Sequence, residues 1–220
     1  MKIIDLSFAL DEECMTCGTP WHVKPKIEPL GKIDEVGRNT HSIFLGSHTA
    51  THIDAPLHFF DGAVGIDQLD LDRVCGDCMV ADFTAKKQGD VVNLADVQSL
   101  SVQKRMLFRF DWFKMWKHPA YYNGFPYFSI DAAKFLVEKG MRMIALDTPS
   151  PDSGNAIGKK EDSPVHKFFL SHDVTIVEYL THTDALQGGA TYQMIALPLK
   201  IRNCDGAPAR VIVMEDNENA

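Results

Sequence analysis

Ser129-Ile-Asp-Ala-Ala-Lys-Phe-Leu-Val-Glu-Lys-Gly140-Met-Arg-Met-Ile-Ala-Leu-Asp147 reads as a helix followed at once by a strand. Ser129 is a good N-cap, Asp131 sits in the first turn, and Gly140 supplies a left-handed stop. Met143–Asp147 is a short apolar run of strand length, and Met106–Phe110 upstream is another. Strand 106–110, helix 130–139 and strand 143–147 therefore form a right-handed crossover unit with parallel strands. Working outward, Ile3–Leu6, Ser42–Gly46, Met79–Phe83, Val174–Glu178, Tyr192–Leu197 and Arg210–Met214 read as further strands, most of them bounded by Gly, Pro, Asp or Asn. Their connections are short and suit antiparallel neighbours. A second helix is expected from Pro164 through Leu170, with proline suited to its first turn. The fold class is α/β: a strand-rich mixed sheet with few helices.

The chain has 220 residues, 45% hydrophobic and 24% charged, which is enough for one sizeable core and gives one domain over residues 1–220. A net charge of −8 with no Lys/Arg cluster argues against nucleic acid as a partner. No apolar run approaches the length of a spanning helix, and Met1-Lys2-Ile3-Ile4-Asp5 lacks a signal-peptide core, so a cytoplasmic protein with no membrane partner is expected.

The chemistry concentrates in His48-Thr-Ala-Thr-His52-Ile-Asp54-Ala-Pro-Leu-His58. His48, His52 and Asp54 are ligand types that suit Zn²⁺ or Mn²⁺, and a catalytic site takes about three protein ligands with one position open. His58 is then available to move protons. Thr49, Thr51 and Ile53 are β-branched and Pro56 interrupts the run, so an extended or looped segment is expected, with the even-numbered residues 48, 52, 54 and 58 on one side. A lone histidine here would more often be structural. Four titratable groups on one parity are costly to bury without a cation or full hydrogen bonding. Further along, Glu178 is a charge among apolar neighbours in Val-Thr-Ile-Val-Glu-Tyr-Leu, and His166 opens the second helix. Each is either a further ligand or an end-of-element residue facing solvent.

Two CxxC pairs, Cys14/Cys17 and Cys75/Cys78, are too far apart for the usual zinc ribbon. Reduced, inert thiols are the expectation, ahead of a tetrad or a redox disulfide. The aromatic-rich connection from Trp112 to Tyr127 is either a satellite hydrophobic cluster or subunit interface, or a lid over a substrate.

The run His48-x-x-x-His52-x-Asp54-x-Pro56-x-His58 resembles the signature of the cyclase family of metal-dependent hydrolases, which includes bacterial kynurenine formamidase and isatin hydrolase. Ile4-Asp5-Leu6-Ser7, Leu146-Asp147-Thr148-Pro149-Ser150-Pro151-Asp152, the pair His166 and Glu178, and Asp205-Gly206-Ala207-Pro208-Ala209-Arg210 resemble further family blocks in the family's order, so the likeness spans nearly the whole chain. It implies a swivelling β/β/α domain, dimeric or larger. It implies one zinc on His48, His52 and Asp54, a second shared by Asp54 with His166 and Glu178, and His58 as acid/base. Two positions depart from the pattern. Ala50 stands where the motif has glycine, adding a methyl where a backbone close to the metal would need room or positive φ. Cys17-Gly18-Thr19-Pro20-Trp21-His22 replaces a Trp-Pro-Gly-Asp-like stretch that borders the substrate in the formamidases.

The expected activity is hydrolysis of an amide, an aryl formamide first, by metal-activated water with His58 as acid/base. Trp21, Phe59 and Trp116 are candidates to stack on an aryl substrate. Isatin or another cyclic amide or lactone is the rival substrate class. A non-catalytic zinc-stabilised binding protein is the rival of a different kind. One or two Zn²⁺ ions, with Mn²⁺ as the alternative, a small-molecule substrate and a homo-oligomer (dimer or tetramer) complete the expectation.

Overall fold

The computed structural model describes residues 1–156 and 162–215. Among these, the strands in chain order are β1 Lys2–Asp5, β2 Lys26–Gly31, β3 Thr40–Phe44, β4 His52–Asp54, β5 Cys75–Asp82, β6 Val91–Val92, β7 Arg105–Arg109, β8 Tyr127–Phe128, β9 Met143–Leu146, β10 Thr175–Glu178, β11 Thr191–Pro198 and β12 Gly206–Glu215. The helices are α1 Ile33–Val36, α2 Leu94–Val97, α3 Ile130–Glu138 and α4 Pro164–Ser171.

All eight predicted strands are present, and they make the main sheet together with β4 except that β3 belongs to a separate hairpin with β2. The order is β1-β12-β11-β5-β7-β9-β10-β4, and β4 also pairs with β12, which closes the sheet into a barrel-like ring. β7 and β9 pair in parallel with α3 between them, as the crossover reading required. β5 joins β7 and β9 joins β10 in parallel too, while β11, β12, β1 and β4 run antiparallel to their neighbours.

Strict alternation divides the core. Met106 and Phe108 on β7, and Ile144 and Leu146 on β9, join α3 and α4 residues such as Leu136 and Phe169 in one buried cluster. Leu107, Ala145, Val177, Val211 and Val213 form a second cluster with Ile53 inside the closed sheet. Strands buried on both faces need apolar residues at every position, which is why these segments read as continuous runs.

α3 is capped by Ser129, whose hydroxyl accepts from the Ala132 amide at 3.2 Å, and the chain leaves it through Gly140 at φ 99°. The aromatic connection is largely core: Trp112, Tyr121 and Phe125 are buried, and Trp112 Nε1 donates to the Tyr121 carbonyl at 2.9 Å. All five cysteines are free thiols. Burial pushes the Cys78 thiol up to about 12, so it behaves as an apolar core residue.

Candidate metal centre

β4 is only three residues long, but its place between β10 and β12 builds the site. In that register His52 lies opposite Glu178 on β10 and Pro208 on β12, while Asp54 lies opposite Ile176 and Gly206. Ile53 points into the barrel core, so His52 and Asp54 both project to the other face, toward α4. The expectation that all four even-numbered residues share one extended side is corrected here: it holds for His52 and Asp54 alone. His48 precedes the strand and is brought in by a turn in which Ala50 has φ 50°. His58 follows in a 3₁₀ turn, Pro56–His58, because Pro56 cannot continue the ladder. The left-handed backbone at Ala50 is the conformation for which glycine is the easier residue.

The predicted ligands come together. His48 Nδ1 lies 2.8 Å and His52 Nε2 3.2 Å from Asp54 Oδ1, and His166 Nε2 is 3.5 Å from Asp54 Oδ2. Glu178 faces His52 Nε2 at 3.4 Å through one oxygen and His166 Nε2 at 3.1 Å through the other. His52, Asp54, His166 and Glu178 are buried, so the solvent-facing alternative for His166 and Glu178 does not describe them. Two triads of donor atoms, His48–Asp54–His58 and His52–Asp54–Glu178, each lie within 4.8 Å of one another. Asp54 is common to both, and the first triad also places His58 within reach of an ion beside His48.

These residues fit a divalent cation. Both oxygens of Asp54 and Oε1 of Glu178 are buried without a hydrogen-bond partner, although ring nitrogens approach them. Short distances without hydrogen-bond geometry mean that lone pairs, rather than N–H bonds, converge on the centre. Unpaired buried carboxylates are costly unless a cation compensates them. The electrostatics agree. Burial alone would depress His48, yet Asp54 and Asp205 overcome it and push the imidazole up to about 10. Burial likewise opposes, and Glu178 and Asp152 outweigh it, in holding His166 well above the usual histidine range. The carboxylates at this centre demand positive charge, and an ion would supply it in place of protons.

Two more carboxylates, which sequence reasoning did not single out, hold the rings from behind. Asp152 Oδ2 lies 2.7 Å from His166 Nδ1 and also accepts from the His166 amide at 2.9 Å, while Oδ1 accepts from the Val165 amide at 2.8 Å. The same side chain thus orients the His166 ring and satisfies two orphan amides at the start of α4. Asp205, in the loop before β12, lies 2.8 Å from His48 Nε2 and 3.2 Å from His58 Nδ1. Both belong to the sequence blocks already noted, and an Asp in such a block is the signal that would have found them.

The centre opens into a cavity of about 330 Å³. Trp21, Phe59, Tyr122, Cys17 and His22 line it together with the cluster of histidines and carboxylates. Of the three aromatic candidates, Trp21 and Phe59 are on this wall. Trp116 does not line this cavity; it stacks on Phe8 with centroids 4.3 Å apart and meets Tyr179 edge-on, so the stacking expectation for it is withdrawn. Tyr122, from the same connection, reaches the wall instead. His22 Nδ1 takes the Cys17 amide at 3.2 Å, and burial pulls the His22 pKa down to about 4, so this imidazole is neutral.

The family model for putative cyclases matches residues 4–153. The chain belongs to that family. Relatives of this putative cyclase include the kynurenine formamidase of Bacillus cytotoxicus, 32% identical over 96% of each chain, and that of Bacillus anthracis, 30% identical over 96% of this chain and 97% of the other. Among solved structures, a potential metal-dependent hydrolase with cyclase activity superposes with TM-score 0.79 at 29% identity, over 98% of this chain and 99% of that one. An isatin hydrolase bound to the product analogue thioisatinate shares the fold, with TM-score 0.85 at 21% identity, over 96% and 91% of the two chains. The cyclase-family fold thus extends over the strand-rich mixed sheet described above.

Proposed function

We propose that the chain is a metal-dependent hydrolase of carbon–nitrogen bonds other than peptide bonds, with an aryl formamide as its substrate. The observation that carries this reading is the convergence of His48, His52, Asp54, His166 and Glu178 around unpaired buried carboxylate oxygens, beside His58 and an aromatic-walled cavity. The kynurenine formamidase relatives support the choice of substrate class.

His48, His52 and Asp54 would hold one ion, and Asp54 would bridge to a second held by His166 and Glu178. Zn²⁺ is the proposed metal, with Mn²⁺ as the alternative suited to the same donors. The bound ion supplies Lewis acidity, which polarises the scissile carbonyl and acidifies a water molecule toward a pKa of roughly 7.

The protein's own side chains do the rest. Trp21 and Phe59, on the cavity wall, offer apolar ring surface on which an aryl group would stack. His58 Nδ1 is tied to Asp205, which leaves Nε2 to take a proton from the attacking water and deliver it to the leaving nitrogen. An amine leaves poorly as an anion, so that protonation is required for bond cleavage.

The chain acts as one domain over residues 1–220 and as a homo-oligomer of two or four copies. In support, the β2–β3 hairpin exposes Leu30, Ile43 and Phe44, with Ile33 and Val36 beside them on α1. No helix among the described residues is long and apolar enough to cross a membrane, and a cytoplasmic location is proposed. Hydrolysis of N-formylkynurenine, isatin and simple aryl formamides, measured alongside elemental analysis, tests the reading. Turnover of a formamide by metal-loaded protein is the expected result. Turnover of isatin alone would move the substrate to the cyclic amides, which the isatin hydrolase fold likeness makes the second reading. Metal binding with no hydrolysis at all would favour a zinc-stabilised binding protein.

A further inference from the structure

One oxygen of Asp205 serves two histidines. Oδ2 lies 2.8 Å from His48 Nε2 and 3.2 Å from His58 Nδ1, and the two rings lie against each other with centroids 4.0 Å apart and planes inclined by 37°. An ionised carboxylate only accepts hydrogen bonds, so each facing nitrogen must carry a hydrogen. His48 then presents the lone pair of Nδ1 toward Asp54, and His58 presents Nε2 for proton transfer.

The fold is arranged to hold this contact. The Asp205 carbonyl accepts from the Ala55 amide at 2.9 Å, which pins the loop before β12 to the end of β4. Gly206 comes next. A Cβ there would lie 2.8 Å from His48 Cε1 and 2.9 Å from the Ile53 carbonyl oxygen, so the absence of a side chain is what lets the His48 ring lie against the strand and reach Asp205.

We propose that Asp205 is a positioning residue that sets the ring orientation and tautomer of both His48 and His58, so that ion affinity and proton transfer depend on the same carboxylate. The proposal rests on the roles given above to His48 as ligand and His58 as acid/base. A carboxylate behind a metal-bound histidine typically contributes 10–100-fold in metal affinity. An aspartate behind a histidine base keeps it in the reactive tautomer. Here a single group does both.

The test compares wild type, Asp205→Asn, His58→Ala and the double variant. Zn²⁺ affinity is read by competition with a chromophoric chelator, and kcat on an aryl formamide is read at saturating Zn²⁺. Asp205→Asn should bind Zn²⁺ roughly 10–100-fold more weakly, whereas His58→Ala should bind it normally. At saturating Zn²⁺, Asp205→Asn should still be slow, and adding it to His58→Ala should cost no further turnover. Unchanged Zn²⁺ affinity in Asp205→Asn, or losses in kcat that multiply in the double variant, would overturn the proposal.

Ring ¹⁵N shifts of the wild-type Zn²⁺ protein at alkaline pH give a readout that needs neither a folded variant nor turnover. His58 should carry its proton on Nδ1, and a dominant Nε2–H tautomer would refute the assignment. A wild type that binds Zn²⁺ but hydrolyses nothing would sink the hydrolase reading, and the affinity and ¹⁵N results would then decide the role of Asp205 on their own.

Discussion

The carbonyl oxygen of Ala50 lies 2.7 Å from His52 Nδ1, and the backbone that delivers it is left-handed, with φ 50° at a buried alanine. That bond leaves His52 Nε2 for the centre. The strained turn is therefore the device that orients the His52 ring two residues on. Relative to glycine the methyl costs about 1–2 kcal/mol in this conformation, partly offset by the greater freedom of glycine in the unfolded chain. Ala50→Gly should raise stability by about 0.5–1 kcal/mol in urea unfolding, with the m-value and metal content unchanged. An unchanged or lower midpoint would show that the turn is not strained.

Asp152 ties His166 to the first turn of α4 through its two oxygens. Asp152→Ala strands two buried amides and one ring nitrogen. Stability should fall by about 2–4 kcal/mol, since each stranded group carries about 1–3 kcal/mol of desolvation penalty and some relaxation is expected. Metal titration should show one weakened ion and one that binds as before, because Asp152 reaches the His166 side only. Equal weakening of both ions would contradict the division of ligands.

Asp147 gives a pH signature away from the metal. It is buried and accepts from the amides of Phe110 and Asp111 and from Thr183 Oγ1, at 2.6–3.1 Å. Burial outweighs these bonds and raises its pKa from 3.8 to about 7. The native state then binds more protons than the unfolded state between these values. Its stabilising contribution is full below pH 3.8 and is lost as pH rises through about 7. The stability of the wild type, measured relative to Asp147→Asn, should therefore fall across that interval, by up to about 4 kcal/mol. A difference that is flat with pH, or that rises, would refute the shift.

His58 and the ligand set should separate cleanly. His58→Ala should keep its metal and lose about 10²–10⁴ in kcat. Asp54→Ala should lose the second ion, because the residue common to both donor triads is gone. Full turnover without His58, or two ions bound without Asp54, would break the corresponding assignment.

The strands of the main sheet were legible because burial on both faces leaves uninterrupted apolar runs, as at Met106–Phe110 and Met143–Leu146. β4 was legible as part of an extended or looped segment, but neither its bounds nor its partners were. Two of its three residues, His52 and Asp54, are polar, and its pairing is set by β10 and β12 rather than by local propensity. The β2 half of the hairpin escaped for a related reason: Lys26-Ile-Glu-Pro-Leu-Gly31 is largely exposed and carries a proline, so no periodicity marks it. The cluster of donor side chains at 48–58 could be read from spacing in the chain. Asp152 and Asp205 could not be assigned from spacing, since Asp205 is 147 residues away from His58, the ring it holds. Trp116 shows the opposite limit, an aromatic residue whose composition suits a substrate wall and whose packing on Phe8 takes it elsewhere.

Counting ions and turnover on the same samples tests the central claim most directly. The protein is stripped with a chelator and reloaded stepwise with Zn²⁺ or Mn²⁺, with elemental analysis and aryl formamide hydrolysis read at each step. Activity should be absent in the stripped protein, return in proportion to bound metal and level off when the His48–His52–Asp54 and Asp54–His166–Glu178 positions are filled. Full hydrolysis by metal-free protein would contradict the account.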